Sequence, residues 1–258
     1  MQPRYPAVLL AAAAAGISMF SSGSLLAQQS APPRNSVTLV QIRPEAVDTW
    51  REFQEKQTVP ALKKAGVTTR DVYEPIYAPQ GQFRIVQPLM KFADRDNPQS
   101  PIVRALGEGP ARTYNEAIRK MQVSATTTVL QGLPDVSYDP NPNAIHPVLV
   151  LTRFHVAPGK ADEFIAFLRG DRAAAIKKGQ AKRETISRVQ FGGDNNEFRI
   201  ASFEDTIGAL DGESPLARGA GTTGAAAITA KLAGIVLSTD RTVWRRVEAM
   251  SFRPKPAS

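Results

Sequence analysis

The stretch Ser100-Pro-Ile-Val-Arg-Ala-Leu-Gly107 has a second copy later in the chain, Ser214-Pro-Leu-Ala-Arg-Gly-Ala-Gly221. Both copies contain the pattern Ser-Pro-x-x-Arg and end on glycine, and they are 114 residues apart. Self-similarity at a fixed spacing indicates that one structural unit is present twice. The offset can therefore be tested along the rest of the chain.

The same offset relates residues of matching character outside the loop. Pro44 matches Pro158, and Trp50 matches Phe164. Further matches are Asp48 with Asp162, Phe53 with Phe167, Lys63-Lys64 with Lys177-Lys178, Thr128-Val129 with Thr242-Val243 and, at an offset of 115, Phe83-Arg-Ile85 with Phe198-Arg-Ile200. So many matches predict a duplication, with a first repeat over residues 36–138, a linker over 139–147 and a second repeat over 148–252.

The pattern of apolar residues predicts the same order of elements in each repeat. In the first repeat, β-branched residues predict a strand at 36–42, and apolar spacings of three and four predict a helix that is kinked at Pro60 and ends at Gly66. The remaining predictions are strands at 72–77 and 82–87, a helix at 110–122 and a strand at 126–133. The order β-α-β-β-α-β is that of the ferredoxin-like motif, whose helices cover one face of the sheet.

A sheet covered on one face must bury its other face against a partner, and the second copy in the same chain is the nearest one. We therefore predict an α+β fold in which two tandem ferredoxin-like βαββαβ modules pack sheet to sheet as an intramolecular pseudo-dimeric α+β barrel. A flexible arm at 28–35 and a tail at 253–258 flank the two modules.

The chain resembles the dimeric α+β barrel superfamily, in particular tandem-repeat proteins of the NIPSNAP and antibiotic-biosynthesis-monooxygenase type. The resemblance covers residues 36–252. The residues that carry it are Ala157-Pro-Gly-Lys-Ala-Asp-Glu-Phe164, Pro60-Ala-Leu-Lys-Lys-Ala-Gly66, Gln82-Phe-Arg-Ile-Val86 and Glu197-Phe-Arg-Ile-Ala201. It implies this fold and a choice of activities, since relatives include cofactor-free oxygenases, haem enzymes and stress-response proteins.

The first 27 residues have the composition of a secretory signal peptide. Arg4 precedes an apolar run from Ala7 to Phe20, which is too short to span a membrane, and Leu25-Leu26-Ala27 offers a cleavage end. We expect a periplasmic or secreted protein with no integral membrane span after removal of the leader. The alternative is an uncleaved N-terminal anchor. The net charge of +8 is dispersed, so we expect no nucleic-acid partner.

Strand alternation places the candidate catalytic residues on one face of the second repeat's first strand. Arg153 and His155 share this face, and Leu39 and Gln41 occupy the equivalent positions of the first repeat. We expect this face to point into the space between the sheets. His155 is there a candidate general base, since imidazole titrates near neutrality. The alternative is a hydrogen-bonded histidine that fills the sheet interface.

Other polar and aromatic residues are candidates for ligand binding. They are Gln41, Tyr73, Tyr77, Trp244, Arg104 and Arg218. The aromatic residues also suit core positions. The repeated arginines of the Ser-Pro-x-x-Arg pattern either tie their loops to the fold or bind an anionic ligand in a bidentate manner.

The sequence provides few ligands for a metal or a cofactor. It has two histidines nearly ten residues apart and no cysteine, so we expect no metal site and no cofactor. In haem-degrading members of the superfamily the ligating histidine lies on a helix, and no predicted helix here contains one. The sequence also has no G-x-S-x-G motif of a serine hydrolase.

Three functions remain open at this point. The first is a non-catalytic or ligand-binding module that takes a small organic molecule. The second is a cofactor-independent monooxygenase-like enzyme that acts on a phenolic or enolisable compound through His155 and Arg153. The third is a structural envelope assembly protein joined through edge strands. A homo-oligomer is compatible with all three.

We expect export to remove the leader. Intact-mass measurement of the protein secreted by its own host should then show a mature N-terminus near Gln28. A mass that includes Met1 would contradict the signal-peptide interpretation and favour the uncleaved anchor.

Overall fold

A computed structural model of the protein describes residues 32–89, 91–142 and 144–254. The predicted leader lies outside these residues, as do the first half of the arm, residues 28–31, and the end of the tail. In the described part of the chain no helix is both long and apolar enough to cross a membrane.

The first repeat contains four strands and four α-helices, which lie in two stretches of the chain between the strands. Its strands are β1 (Arg34–Ile42), β2 (Asp71–Tyr77), β3 (Gln82–Pro88) and β4 (Gln122–Gly132). Its α-helices are α1 (Val47–Phe53), α2 (Val59–Lys64), α3 (Pro101–Leu106) and α4 (Glu108–Met121). The predicted order is therefore observed, and the short helix α3 forms within the first Ser-Pro-x-x-Arg loop.

The second repeat contains the same succession. Its strands are β5 (Val148–Val156), β6 (Arg183–Phe191), β7 (Glu197–Glu204) and β8 (Val236–Arg246). Its helices are α5 (Ala161–Arg169), α6 (Asp171–Lys178) and α7 (Pro215–Ala230). The hydroxyl of Ser214 accepts a hydrogen bond from the backbone N–H of Ala217 and caps the start of α7, and Gly221, with a φ of 73°, interrupts this helix after its first part.

A π-helical turn, Gln54–Thr58, joins α1 to α2 at the predicted proline kink. The backbone N–H of Val59 bonds to the carbonyl of Gln54, five residues earlier. Pro60 follows directly and has no backbone N–H of its own. The wider turn lets the helix continue past the proline, so a π bulge stands where we predicted a kink.

The eight strands form one closed antiparallel barrel, in the order β1-β3-β2-β8-β5-β7-β6-β4. Within the first repeat the order is β4-β1-β3-β2, and within the second it is β8-β5-β7-β6. Two seams close the barrel: β2 pairs with β8, and β4 pairs with β6. Every one of these strands is thus paired on both sides, and assembly through edge strands has no free barrel edge to use.

The two faces of each strand have separate environments. Outside the barrel, Trp50 of α1 packs on Phe83 of β3 with ring centroids 4.2 Å apart. The second repeat packs Phe164 of α5 on Phe198 of β7 in the same way, at 4.9 Å. The inward face of β5 carries Leu149, which is buried with Trp244 and Tyr73 of neighbouring strands. The predicted alternation of faces is therefore observed.

Candidate functional site

The barrel encloses a cavity of about 690 Å³. Its walls come from the amino-terminal parts of β1, β2 and β5 and from the carboxyl-terminal parts of β3, β4 and β7, so the cavity lies toward one end of the barrel. The apolar wall residues are Val37, Val86, Leu130, Leu149, Leu151, Ala201 and Phe203. Cavities of this size and lining typically hold small organic molecules.

Arg84 and Arg199 form the floor of this cavity. Along β3 and β7 these arginines are the first inward residues that line the cavity. Gln82 and Glu197, two residues earlier on the same faces, do not line it. The two arginines are equivalent in the repeat. They are 4% and 6% exposed, so both guanidinium groups are withdrawn from solvent.

Arg199 has a counter-ion on its own strand. Its Nε donates to Oε1 of Glu197 at 2.5 Å, and both side chains are buried. This buried ion pair neutralises the charge on the second repeat's side of the floor.

Arg84 has no such partner among the residues that the structure describes. Its Nε is buried without a hydrogen bond, and no described carboxylate lies within 4.0 Å of its guanidinium. The equivalent of Glu197 in the first repeat is Gln82, which carries no charge. Burial, followed by the neighbouring charge of Arg199, lowers the pKa of Arg84 from its usual value. Arginine nevertheless keeps its proton at neutral pH, so the floor carries one uncompensated positive charge.

The other charged groups of the cavity wall are paired. Asp71 of β2 accepts hydrogen bonds from Arg246, at 3.0 Å, and from Arg253, at 2.7 Å. Near the same end of the barrel, Arg183 Nε lies 2.9 Å from Oδ2 of Asp139. Arg84 is therefore the one charged residue of the described cavity wall without an opposite charge within ion-pair distance.

Tyr73 places a hydroxyl in the cavity. Burial, followed by the negative charge of Asp71, raises the pKa of Tyr73 to about 12. The phenol is therefore protonated at neutral pH and can donate a hydrogen bond to a ligand.

The predicted catalytic residues lie outside the cavity wall: Arg153 is directly opposite Arg199 in the β5–β7 pair, and His155 is opposite Glu197, beyond the floor. His155 and Arg153 follow Leu151 on the inward face of β5, and both side chains are 36% exposed. Arg153 forms an ion pair with Asp240 on β8. Nδ1 of His155 lies 3.5 Å from Oδ2 of Asp194. Their proposed catalytic role stays a prediction.

Among the predicted ligand-binding residues, Tyr73 lines the cavity, and Trp244 is buried against Leu149 and Tyr73 without lining it. Tyr77 is 68% exposed at the end of β2. Gln41 points inward beyond the floor, where its amide donates to the backbone carbonyl of Gln80 and supports the β2–β3 turn. The structure thus brings one of these four residues into the cavity.

The repeated Ser-Pro-x-x-Arg loops lie outside the barrel and hold helix starts. Ser100 accepts a hydrogen bond from the N–H of Val103, and Arg104 donates to the carbonyl of Gln99. Arg218 donates to the carbonyls of Glu213 and Gly179. These contacts correspond to the structural interpretation of the repeat.

The sequence reasoning did not select Arg84 and Arg199. They were visible only as part of the matched stretches Phe83-Arg-Ile85 and Phe198-Arg-Ile200. The signal was an arginine at the same place in both repeats with an acid two residues before only one of them. This difference between the repeats could be interpreted only with the barrel in hand, because closure of the barrel turns both strands toward one interior space, the lumen, which contains the cavity.

A second cavity of about 730 Å³ lies outside the barrel, between the second repeat's sheet and α7. It contains a buried ion pair, in which Arg172 Nη1 lies 2.7 Å from Oε1 of Glu184. Its described wall offers no histidine, cysteine, methionine or tyrosine to serve as an axial ligand. These residues do not fit a haem group there. The described chain also has no cluster of three metal-ligating side chains.

No family model and no curated protein matches the chain. Solved structures match its fold. A "putative monooxygenase" from Lactobacillus acidophilus NCFM has a TM-score of 0.57 and 12% identity, over 86% of this chain and 96% of that chain. A "putative monooxygenase" from Fusobacterium nucleatum has a TM-score of 0.56 and 10% identity, over 87% and 99% of the two chains.

A third solved structure, an anthrone oxidase-like protein, has a TM-score of 0.54 and 13% identity, over 84% of this chain and 92% of that chain. At such low identity the likeness concerns the fold alone. The chain has an α+β fold with a closed antiparallel barrel of eight strands, and the likeness to these structures extends over most of it.

We expect Arg84→Met to raise the free energy of unfolding by about 1–3 kcal/mol, because it removes a buried charge that lacks a counter-ion. The matched variant Arg199→Met should lower it by about 3 kcal/mol, because it leaves Glu197 buried without its arginine. Urea unfolding followed by circular dichroism measures both. Equal losses of stability in the two variants would contradict this prediction, because they would show that the guanidinium of Arg84 makes stabilising contacts as that of Arg199 does.

Proposed function

We propose that the protein binds a small organic molecule inside the barrel. The observation that carries this proposal is the barrel cavity of about 690 Å³, whose wall combines aliphatic and aromatic side chains with polar and charged ones. Apolar surface facing such a space gains free energy when a ligand covers it, at roughly 25 cal/mol per Å². The phenol of Tyr73 and the guanidinium of Arg84 add a few polar contacts that can orient a ligand.

The proposal includes the origin of the cavity. We infer that the two repeats are tandem ferredoxin-like modules that together form what two subunits form in a dimeric α+β barrel. The support is the identical strand order of the two repeats and the matching pairs of core residues, such as Trp50 with Phe164 and Phe83 with Phe198. Kinship with NIPSNAP proteins and export from the cytoplasm belong to the same proposal and rest on the sequence.

We expect the lumen to bind the neutral fluorophore N-phenyl-1-naphthylamine, with increased emission when the dye leaves water. Ala201 lines the lumen between β5 and β6, and Ala201→Trp would fill it. This variant should weaken binding at least about tenfold, since the dye loses its space. Fluorescence titration gives the Kd.

Ala209→Trp is the matched control, because Ala209 lines the cavity beside α7. It should leave the Kd of the dye unchanged, and circular dichroism should show that both variants are folded. If Ala209→Trp weakens binding and Ala201→Trp does not, the dye occupies the outer cavity and the lumen proposal is wrong.

A second candidate is a cofactor-independent oxygenase that acts on a phenolic or enolisable compound. Two observations favour it. Structures of similar fold carry the names monooxygenase and anthrone oxidase-like. In the lumen, Arg84 could stabilise the oxyanion of a deprotonated substrate, and Asp139 has a buried Oδ1 without a hydrogen-bond partner among the described residues. Asp139 and His155 are then the alternative bases.

Oxygen consumption in the presence of anthrone tests this candidate. An oxygenase that works in the lumen should be slowed by Asp139→Asn at least about tenfold and retain its rate in His155→Ala, since Asp139 reaches the cavity. The reverse result would make His155 the base, as the sequence predicts. A wild-type rate no higher than that of buffer would eliminate the oxygenase and leave ligand binding.

A further inference from the structure

The floor of the lumen is built asymmetrically from symmetric parts. Arg84 and Arg199 occupy equivalent positions in the two repeats, and both line the cavity. Glu197 pairs with Arg199 at 2.5 Å, whereas Gln82 stands at the equivalent place beside Arg84. One acid-to-amide difference therefore separates a neutralised guanidinium from an uncompensated one.

The other charged groups around the floor also leave Arg84 as the arginine without a counter-ion. Arg153, directly opposite Arg199 in the β5–β7 pair, is paired with Asp240, and Arg199 is paired with Glu197. Arg84 is buried, its Nε has no hydrogen-bond partner in the described chain, and it is close enough to Arg199 for the two charges to repel. Leaving a buried cation uncompensated is costly. An anion that enters the lumen would remove that cost.

We propose that the lumen binds an apolar molecule with a single carboxylate, held by Arg84, and that Glu197 limits the site to one negative charge. A planar guanidinium suits a carboxylate, since two parallel N–H groups can donate to its two oxygens. The aliphatic wall above Arg84 accommodates the apolar part of the ligand. This inference depends on the proposed function, because it names the chemical class of the ligand for the same cavity.

The ligand is limited to one negative charge because Arg199 is already paired with Glu197. A second carboxylate near the floor would have to compete with Glu197 for Arg199, or remain buried without a cation. Specificity would then depend on a repulsive element as well as on an attractive one. Residues 82 and 197 act here as specificity residues, and their exchange is a direct test.

Three probes each have an apolar alkyl chain and differ in charge. At pH 7.5, 1-octanol is neutral, octanoate carries one negative charge, and hexylmalonate carries two. Isothermal titration calorimetry should show that the wild-type protein binds octanoate at least about tenfold more tightly than octanol. Hexylmalonate should bind more weakly than octanoate. Equal Kd values for octanoate and octanol would overturn the inference and leave the proposed function intact. Failure of all three probes to bind would overturn both.

Exchange of the two residues gives the decisive variants. Gln82→Glu places a carboxylate beside Arg84 as Glu197 stands beside Arg199, so the preference for octanoate over octanol should disappear. Glu197→Gln should raise the affinity for hexylmalonate about tenfold, since Arg199 becomes available. The double variant Gln82→Glu/Glu197→Gln moves the uncompensated charge to Arg199, and the octanoate preference should return.

The rescue in the double variant separates this inference from a structural role, because damage to the fold would add up in the double variant. Circular dichroism of each variant gives the fraction of folded protein, which is used in fitting the calorimetric titrations. If octanoate binds the wild type selectively and the double variant does not regain that selectivity, Glu197 does not set the charge of the ligand and the inference is wrong.

Discussion

Closure of the barrel is the constraint on which the remaining structure depends. Each repeat alone would leave β2 and β4, or β8 and β6, as unpaired edges and would expose one face of its sheet. The pairing of β2 with β8 and of β4 with β6 removes all four edges and turns the two exposed faces toward a common lumen. The ion pair between Arg246 and Asp71 joins the first of these seams, where Tyr73 lies opposite Arg246.

A closed barrel of eight strands has an interior that side chains can fill or that a ligand can share. Here the two ends differ. Large polar side chains, among them Arg153 and His155, occupy the end at and beyond the floor, and smaller apolar ones such as Val37 and Ala201 leave the other end open as a cavity. The site is therefore a part of the core that was left unpacked, with its buried charge at the bottom. Such a charge lowers stability, and proteins commonly carry such costs where they bind or react.

The duplication that we propose would give this site a freedom that two identical subunits lack. In a symmetric dimer any residue of the floor appears twice, so a lone carboxylate or a lone uncompensated arginine is excluded by symmetry. Two covalently joined copies can diverge independently. Gln82 and Glu197 show this divergence directly, and so do Gln41 and His155. The lumen can thus be asymmetric because both repeats belong to one chain and need not have the same sequence.

The sequence by itself determined the repeat, the order of elements and the two faces of each strand, because all three depend on local periodicity and on matching at a fixed offset. It also marked Pro60 as a disturbance in a helix, although the π turn that resolves it was not predictable. Only the tertiary structure decided where the site lies. Arg84 and Arg199 are 115 residues apart and acquire a common environment only when the seams close. Whether a guanidinium is neutralised depends on distances between side chains, and those are set by packing in three dimensions.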